Sequence, residues 1–184
     1  MKTLFAVLTF IVFLSSGWTI DKNATDLEWN DKTLSWDDFA GDVNPYSTAD
    51  AATSVRIVAT PYFHHSKIHY RVNTYFIREH SWYRNRSEQL LSHEQLHFDL
   101  AELYARKVRK KISEYQRQGV RDVHAYNAAI QRILDESNRI DVNYDERTLH
   151  GCLSEKQALW KKNIWVQLKA LEPFSKENSE LRRL

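Results

Sequence analysis

The 184-residue chain has one cysteine, Cys152, which excludes an intrachain disulfide and leaves the fold to its core and to any ion it binds. An excess of either charge is also missing. Lys and Arg number 26 against 24 Asp and Glu, a formal +2, which offers no basis for binding nucleic acid or an anionic membrane. With four glycines, three prolines and no repeat, there is no low-complexity segment. Beyond residue 14, no apolar run is long enough for a membrane span.

What is present is a core-forming composition: 42% apolar residues and 12% aromatics, six of them Trp, in one domain's length. The N-terminus has the order of a secretory signal peptide over residues 1–17. Lys2 is the positive end, Thr3 to Leu14 the apolar run, and Ser15-Ser16-Gly17 the small residues before a cut near Trp18. This predicts export to the periplasm or beyond, a single mature domain over 18–174, and a polar, frayed tail over 175–184.

The chemistry concentrates in His93-Glu94-Gln95-Leu96-His97. On a helix, residues four apart share a face, so His93 and His97 can offer two imidazoles to one ion. Glu94 stands about 100° round from His93, where a carboxylate reaches an attacking water without ligating. Leu90, Leu100, Tyr104 and Val108 fall within about 60° of the histidines, so the pair faces the interior. This spacing predicts a Zn2+-dependent hydrolase acting on peptides or proteins. Glu94 would be the general base, and zinc would lower the pKa of its water from about 15.7 toward about 7. Two other readings stand beside it: a non-catalytic metal-binding or envelope interaction domain, and a hydrolase of another amide or ester.

The surrounding pattern predicts an α+β domain, a small antiparallel sheet in the N-terminal half packed on three helices. Strands are expected over about Ala52–Phe63 and Lys67–Ile77, joined at a turn His64-His65-Ser66 whose histidines are solvated. The second strand alternates: Ile68, Tyr70, Val72 and Phe76 on one face, His69, Arg71, Asn73 and Tyr75 on the other. The first helix is expected from a cap at Asn85 to about Gln118, with Gly119 as its stop and the basic run Arg106–Lys111 as solvated surface. A second starts at Asp122 with an inward stripe Tyr126, Ile130, Ile133, Leu134 and Ser137. A third starts at a Ser154/Gln157 capping box, buries Trp160 and Trp165, and ends by Pro173.

Catalytic zinc usually takes three protein ligands. Asp99 and Glu102 point about 120° and 180° away from His93, so the third comes from elsewhere. His150, in the polar stretch Tyr144–Gly151 expected as the loop between the second and third helices, is the leading candidate, with His80, His124, Glu136 and Asp145 as rivals. Tyr144 is a possible oxyanion donor, and the second strand a candidate for pairing with an extended substrate.

Several stretches occur in a telling order: Leu34-Ser35-Trp36-Asp37-Asp38-Phe39-Ala40-Gly41, Ala51-Ala52-Thr53-Ser54, Ser81-Trp82, His93–Asp99, then Thr148-Leu149-His150-Gly151 with Gln157 and Trp160. This resembles a family of secreted bacterial proteins classed as a domain of unknown function and predicted to be zinc-dependent proteases. Leu96 stands where that family often has Gly, at a spacer position. The resemblance implies a zincin-like fold with the motif on the first long helix. It strengthens His150 as third ligand, through its Thr-x-His-Gly setting, and makes Asp99 a candidate partner for a ligating imidazole.

Overall fold

Along Lys67–Phe76 the side chains alternate as their polarity dictates: Ile68, Tyr70, Val72, Thr74 and Phe76 are buried, and their neighbours point outward. This strand, β4, sits mid-sheet in a computed structural model that describes residues 26–30, 33–65 and 67–181. The expected signal peptide, Ser66 of the expected turn and the last three residues of the expected tail lie outside those residues. β4 pairs antiparallel with β3 (Val55–His64) over its whole length, from Val55 opposite Phe76 to His64 opposite Lys67. On its other side it meets the short β1 (Leu27–Glu28). β3 is therefore an edge, as Pro61 within it requires, since proline cannot donate to a further strand. A second small sheet pairs β2 (Ala51–Ala52) with β5 (Trp82–Tyr83).

The placing of β4 changes its expected role. Beyond β1 three of its outer carbonyls are already taken: Trp29 N donates to Thr74 O, Arg109 to Val72 O, and Gln116 to Ile68 O. β4 is thus not the strand that could pair with a substrate.

Helix α1 (Glu88–Arg117) starts one residue after Ser87, whose side chain accepts from Leu90 N at 3.0 Å. The cap is Ser87, not Asn85. Gly119, at φ +72, ends the helix as expected. α2 (Val123–Thr148) begins after Asp122, whose side chain accepts from His124 N. It runs on to Thr148, through residues expected to be loop. α3 (Ser154–Ala170) opens at Ser154 without a side-chain cap, because Gln157 turns away to donate to Gln89 O. Its Trp160 packs on Tyr144, but Trp165 is 60% exposed and no part of the core. The tail holds a short helix, α4 (Lys176–Leu181), tied to β1 by Lys176 and Glu28 at 2.6 Å.

α1 lies between the sheet and the other helices and so buries polar as well as apolar faces. Arg106 and Arg109, expected on a solvated surface, are 3% and 5% exposed. Both reach Glu102, at 3.0 and 2.8 Å, and Thr74 donates to the same carboxylate at 2.9 Å. Arg109 also holds Val72 O, and Arg106 holds Leu168 O and Glu172. These bonds join sheet, α1 and the end of α3, and they satisfy charges that would otherwise be costly to bury.

Candidate metal centre

The first half of α1 carries a second buried polar cluster. His93, Glu94 and His97 are 2%, 3% and 5% exposed. Opposite them α2 presents Asp141, Tyr144 and Asp145, residues its inward stripe reaches because the helix continues past Ser137. The Nε2 atoms of His93 and His97 are 3.2 Å apart, and both face Asp145 Oδ1, at 3.0 and 3.1 Å. The far nitrogen of His97, Nδ1, is 2.7 Å from Asp141 Oδ1. With Nδ1–H donated to Asp141, it is Nε2 that faces inward, so loss of its proton would leave the tautomer a ligating histidine needs.

Whether these residues suit a metal is decided by donor type and spacing. Ligand atoms on a tetrahedral ion with bonds of about 2.0–2.1 Å stand about 3.3–3.4 Å apart. The triangle of two imidazole nitrogens and one carboxylate oxygen is within a few tenths of an ångström of that, so a zinc-like ion fits. This His93, His97, Asp145 group could hold a metal ion, its ligand atoms all lying within 4.8 Å of one another.

The electrostatics agree. Burial pushes the His93 imidazole below its usual value and the Glu94 carboxyl up to about 7, the latter against the pull of His97. Burial also opposes a charge on His97, but Asp141 and Asp145 override it and hold that imidazole well above its ordinary range. Asp145, despite its own desolvation, is held far below the usual carboxylate range by the two imidazoles. Three carboxyls around two histidines make a centre that attracts positive charge.

The other sequence candidates lie as follows. His150 is outside the triangle, its side chain 65% exposed, with Nδ1 3.5 Å from Asp145 Oδ2. The two oxygens of Asp145 thus face the buried pair on one side and His150 on the other. Tyr144 is wholly buried; its ring stacks on His93 with centroids 4.7 Å apart, and its hydroxyl donates to the His93 carbonyl at 3.3 Å. Asp99 accepts from Trp29 Nε1 and Gln95 Nε2, so it fastens the N-terminal segment to α1 and is not one of the three residues of the triangle. Glu136 accepts from Tyr104 and Lys107, while His80 and His124 are exposed outside the cluster.

The Thr148–Gly151 turn is shaped by α1. Leu149, His150 and Gly151 are consecutive left-handed residues, at φ 50, 51 and 81. Thr148 closes the turn by accepting from Gly151 N, and Gln89 donates to Gly151 O at 2.6 Å. A Cβ at Gly151 would stand 2.9 Å from Cβ and Cγ of His93, so only glycine lets the turn pack on that ligand. Asp141 was missed by sequence reasoning, although extending the α2 stripe four residues beyond Ser137 lands on it, and four more on Asp145.

No curated protein and no solved structure matches the chain. A family model described as a bacterial protein of unknown function (DUF922) matches residues 76–151, from the end of β4 to Gly151, and this similarity spans the whole candidate centre.

Proposed function

We propose that this chain is an exported metal-dependent hydrolase, with peptide bonds as its substrates and zinc as its metal. The observation carrying this reading is the triangle of His93, His97 and Asp145 with the buried Glu94 carboxyl alongside. Asp145 takes the third-ligand role expected of His150, and His150 stands at the solvent side of the same carboxylate. A divalent ion held there supplies Lewis acidity to the scissile carbonyl and to water. Glu94, with a carboxyl near neutrality, accepts the proton of the attacking water and passes it to the leaving amine. Asp141 fixes the ring of His97 through Nδ1, and Tyr144 fixes that of His93 by stacking. The edge strand β3 follows Thr53, a neighbour of Glu94, and is the element on which an extended substrate would pair. Export rests on the signal-peptide pattern of residues 1–17.

A second reading has one observation in its favour. His93, His97 and Glu94 are almost fully enclosed, as in a metal site that serves structure alone. The two separate in Glu94→Gln compared with wild type, measuring bound metal and cleavage of a broad peptide library. Metal in both with cleavage by wild type alone is the expected result. Equal cleavage would remove Glu94 from the chemistry, and metal without any cleavage would establish the enclosed, non-catalytic site.

A further inference from the structure

At the far end of the sheet the β3–β4 hairpin ends in a group of histidines with no part in the centre described above. His64 closes β3, His65 sits in the turn, and His69 lies opposite Tyr62 on β4. Side chains two apart on a strand share a face, so His64 stands beside Tyr62 and diagonal to His69. The rings meet accordingly. His64 is edge-on to His65, with centroids 4.1 Å apart, and edge-on to His69 at 6.0 Å. The Tyr62 ring stacks on His69 at 5.4 Å, and Gln116 reaches His69 Nδ1 at 3.4 Å, so the third ring is held from two sides.

We propose that His64, His65 and His69 form a second metal site, open to solvent, that takes a borderline divalent ion such as Cu(II), Ni(II) or Zn(II). Imidazoles sharing one ion with metal–nitrogen bonds of about 2.0–2.1 Å have ring centroids about 4.5–5.2 Å apart for adjacent ligands. The His64–His65 and His64–His69 separations lie on either side of that range, so shifts of about an ångström bring His65 and His69 to an ion shared with His64. An all-nitrogen set selects against Mg2+ and Ca2+, which demand oxygen, and favours the later transition metals. The turn itself points the same way. Two-residue hairpin loops prefer Asn-Gly or Asp-Gly, yet here a histidine occupies a left-handed position, φ 48. That choice places the His65 imidazole beside that of His64, which in turn meets His69, at some conformational cost.

The test uses the full chain and a Cu(II) titration, comparing wild type with His69→Gln and with the triple variant His64→Gln/His65→Gln/His69→Gln. These substitutions are on the surface and leave the α1–α2 centre intact, so the comparison counts only the hairpin. The triple variant is expected to take one equivalent fewer than wild type. His69→Gln alone should weaken the hairpin site at least tenfold. In wild type, sub-stoichiometric Cu(II) should broaden the NMR signals of Tyr62 and Lys67 before those of α3. Identical stoichiometry in wild type and triple variant would overturn the site. So would single-variant losses below threefold, which mean separate solvated histidines with no shared ion. Because the readout is a difference at the hairpin, neither outcome depends on whether the buried centre is a hydrolase.

Discussion

If Asp145 and not His150 completes the triangle, the two positions must differ sharply in what they contribute to metal binding. Asp145→Asn replaces a carboxylate oxygen that stands 3.0 and 3.1 Å from the two ligand nitrogens with a neutral amide. Losing a direct anionic ligand should exceed the tenfold to hundredfold range typical of outer partners. We therefore expect at least about a hundredfold weaker binding, or about 2.7 kcal/mol. Asp141→Asn touches the ion only through His97 and should fall inside the outer range, about 10–100-fold. His150→Ala removes a side chain 65% exposed and 3.5 Å from the far oxygen of Asp145, and should cost less than tenfold. The assay is competition for Zn2+ against a chromophoric chelator, with circular dichroism confirming that each variant is folded. The order Asp145 before Asp141 before His150 is the expected result. A larger loss for His150→Ala than for Asp145→Asn would refute this geometry and restore the loop histidine as third ligand.

Three further outcomes follow from the same contacts. Glu102→Ala leaves the buried guanidiniums of Arg106 and Arg109 without their shared anion and should cost about 3–5 kcal/mol, read from urea unfolding; a loss below about 1 kcal/mol would show the network adds little. Gly151→Ala forces a Cβ to within 2.9 Å of His93 at a φ of +81, so both stability, by about 1–3 kcal/mol, and metal affinity should fall together; an unchanged variant would mean that the turn moves freely away from α1. Metal binding should release a proton, because the carboxylates keep His97 protonated above its usual range and an ion at Nε2 must displace that proton. Affinity should then rise with pH through neutrality, and calorimetry in buffers of different ionisation enthalpy should find about one proton released per ion. No buffer dependence would contradict the raised His97.

The parts of this fold that rest on local rules can be read directly from the residues. The alternation along β4, the glycine that stops α1, and the inward face shared by His93 and His97 all follow from periods of two and 3.6. What could not be read depends on which elements meet. Arg106 and Arg109 look like surface charges until Glu102 is known to face the same way under Thr74 and the end of α3. Trp165 belongs to an apolar pattern whose outer side the fold leaves uncovered. Ending α2 before Tyr144 made His150 the prominent ligand, because a loop was expected there. The helix runs on to Thr148, and its inward positions after Ser137 are Asp141 and Tyr144, with the half-buried acid Asp145 beside them. An acid on an inward stripe is a signal available from sequence, but only when the helix is carried far enough.

The two buried polar clusters of α1 give the strongest argument that one of them is suited to hold an ion. Around Glu102 the charges are complete in themselves: the carboxylates of Glu102 and Glu172, two guanidiniums, and backbone carbonyls for further N–H groups. Around His93 the balance is reversed. Glu94, Asp141 and Asp145 bring three carboxyls against two imidazoles; burial pushes Glu94 toward neutrality, while Asp141 and Asp145 pull His97 toward the cation. A domain that needed only a polar tie between helices could have used the first arrangement twice. The second collects ligand atoms of His93, His97 and Asp145 that all lie within 4.8 Å of one another. Because both walls of that point are helices, with Tyr144 and Asp141 fixing the rings from behind, the ligand atoms are set in place before any ion arrives. A centre so built has the short spacing and the charge deficit that a divalent ion resolves, and the adjoining Glu94 has a carboxyl near neutral pH, where proton transfer is most efficient.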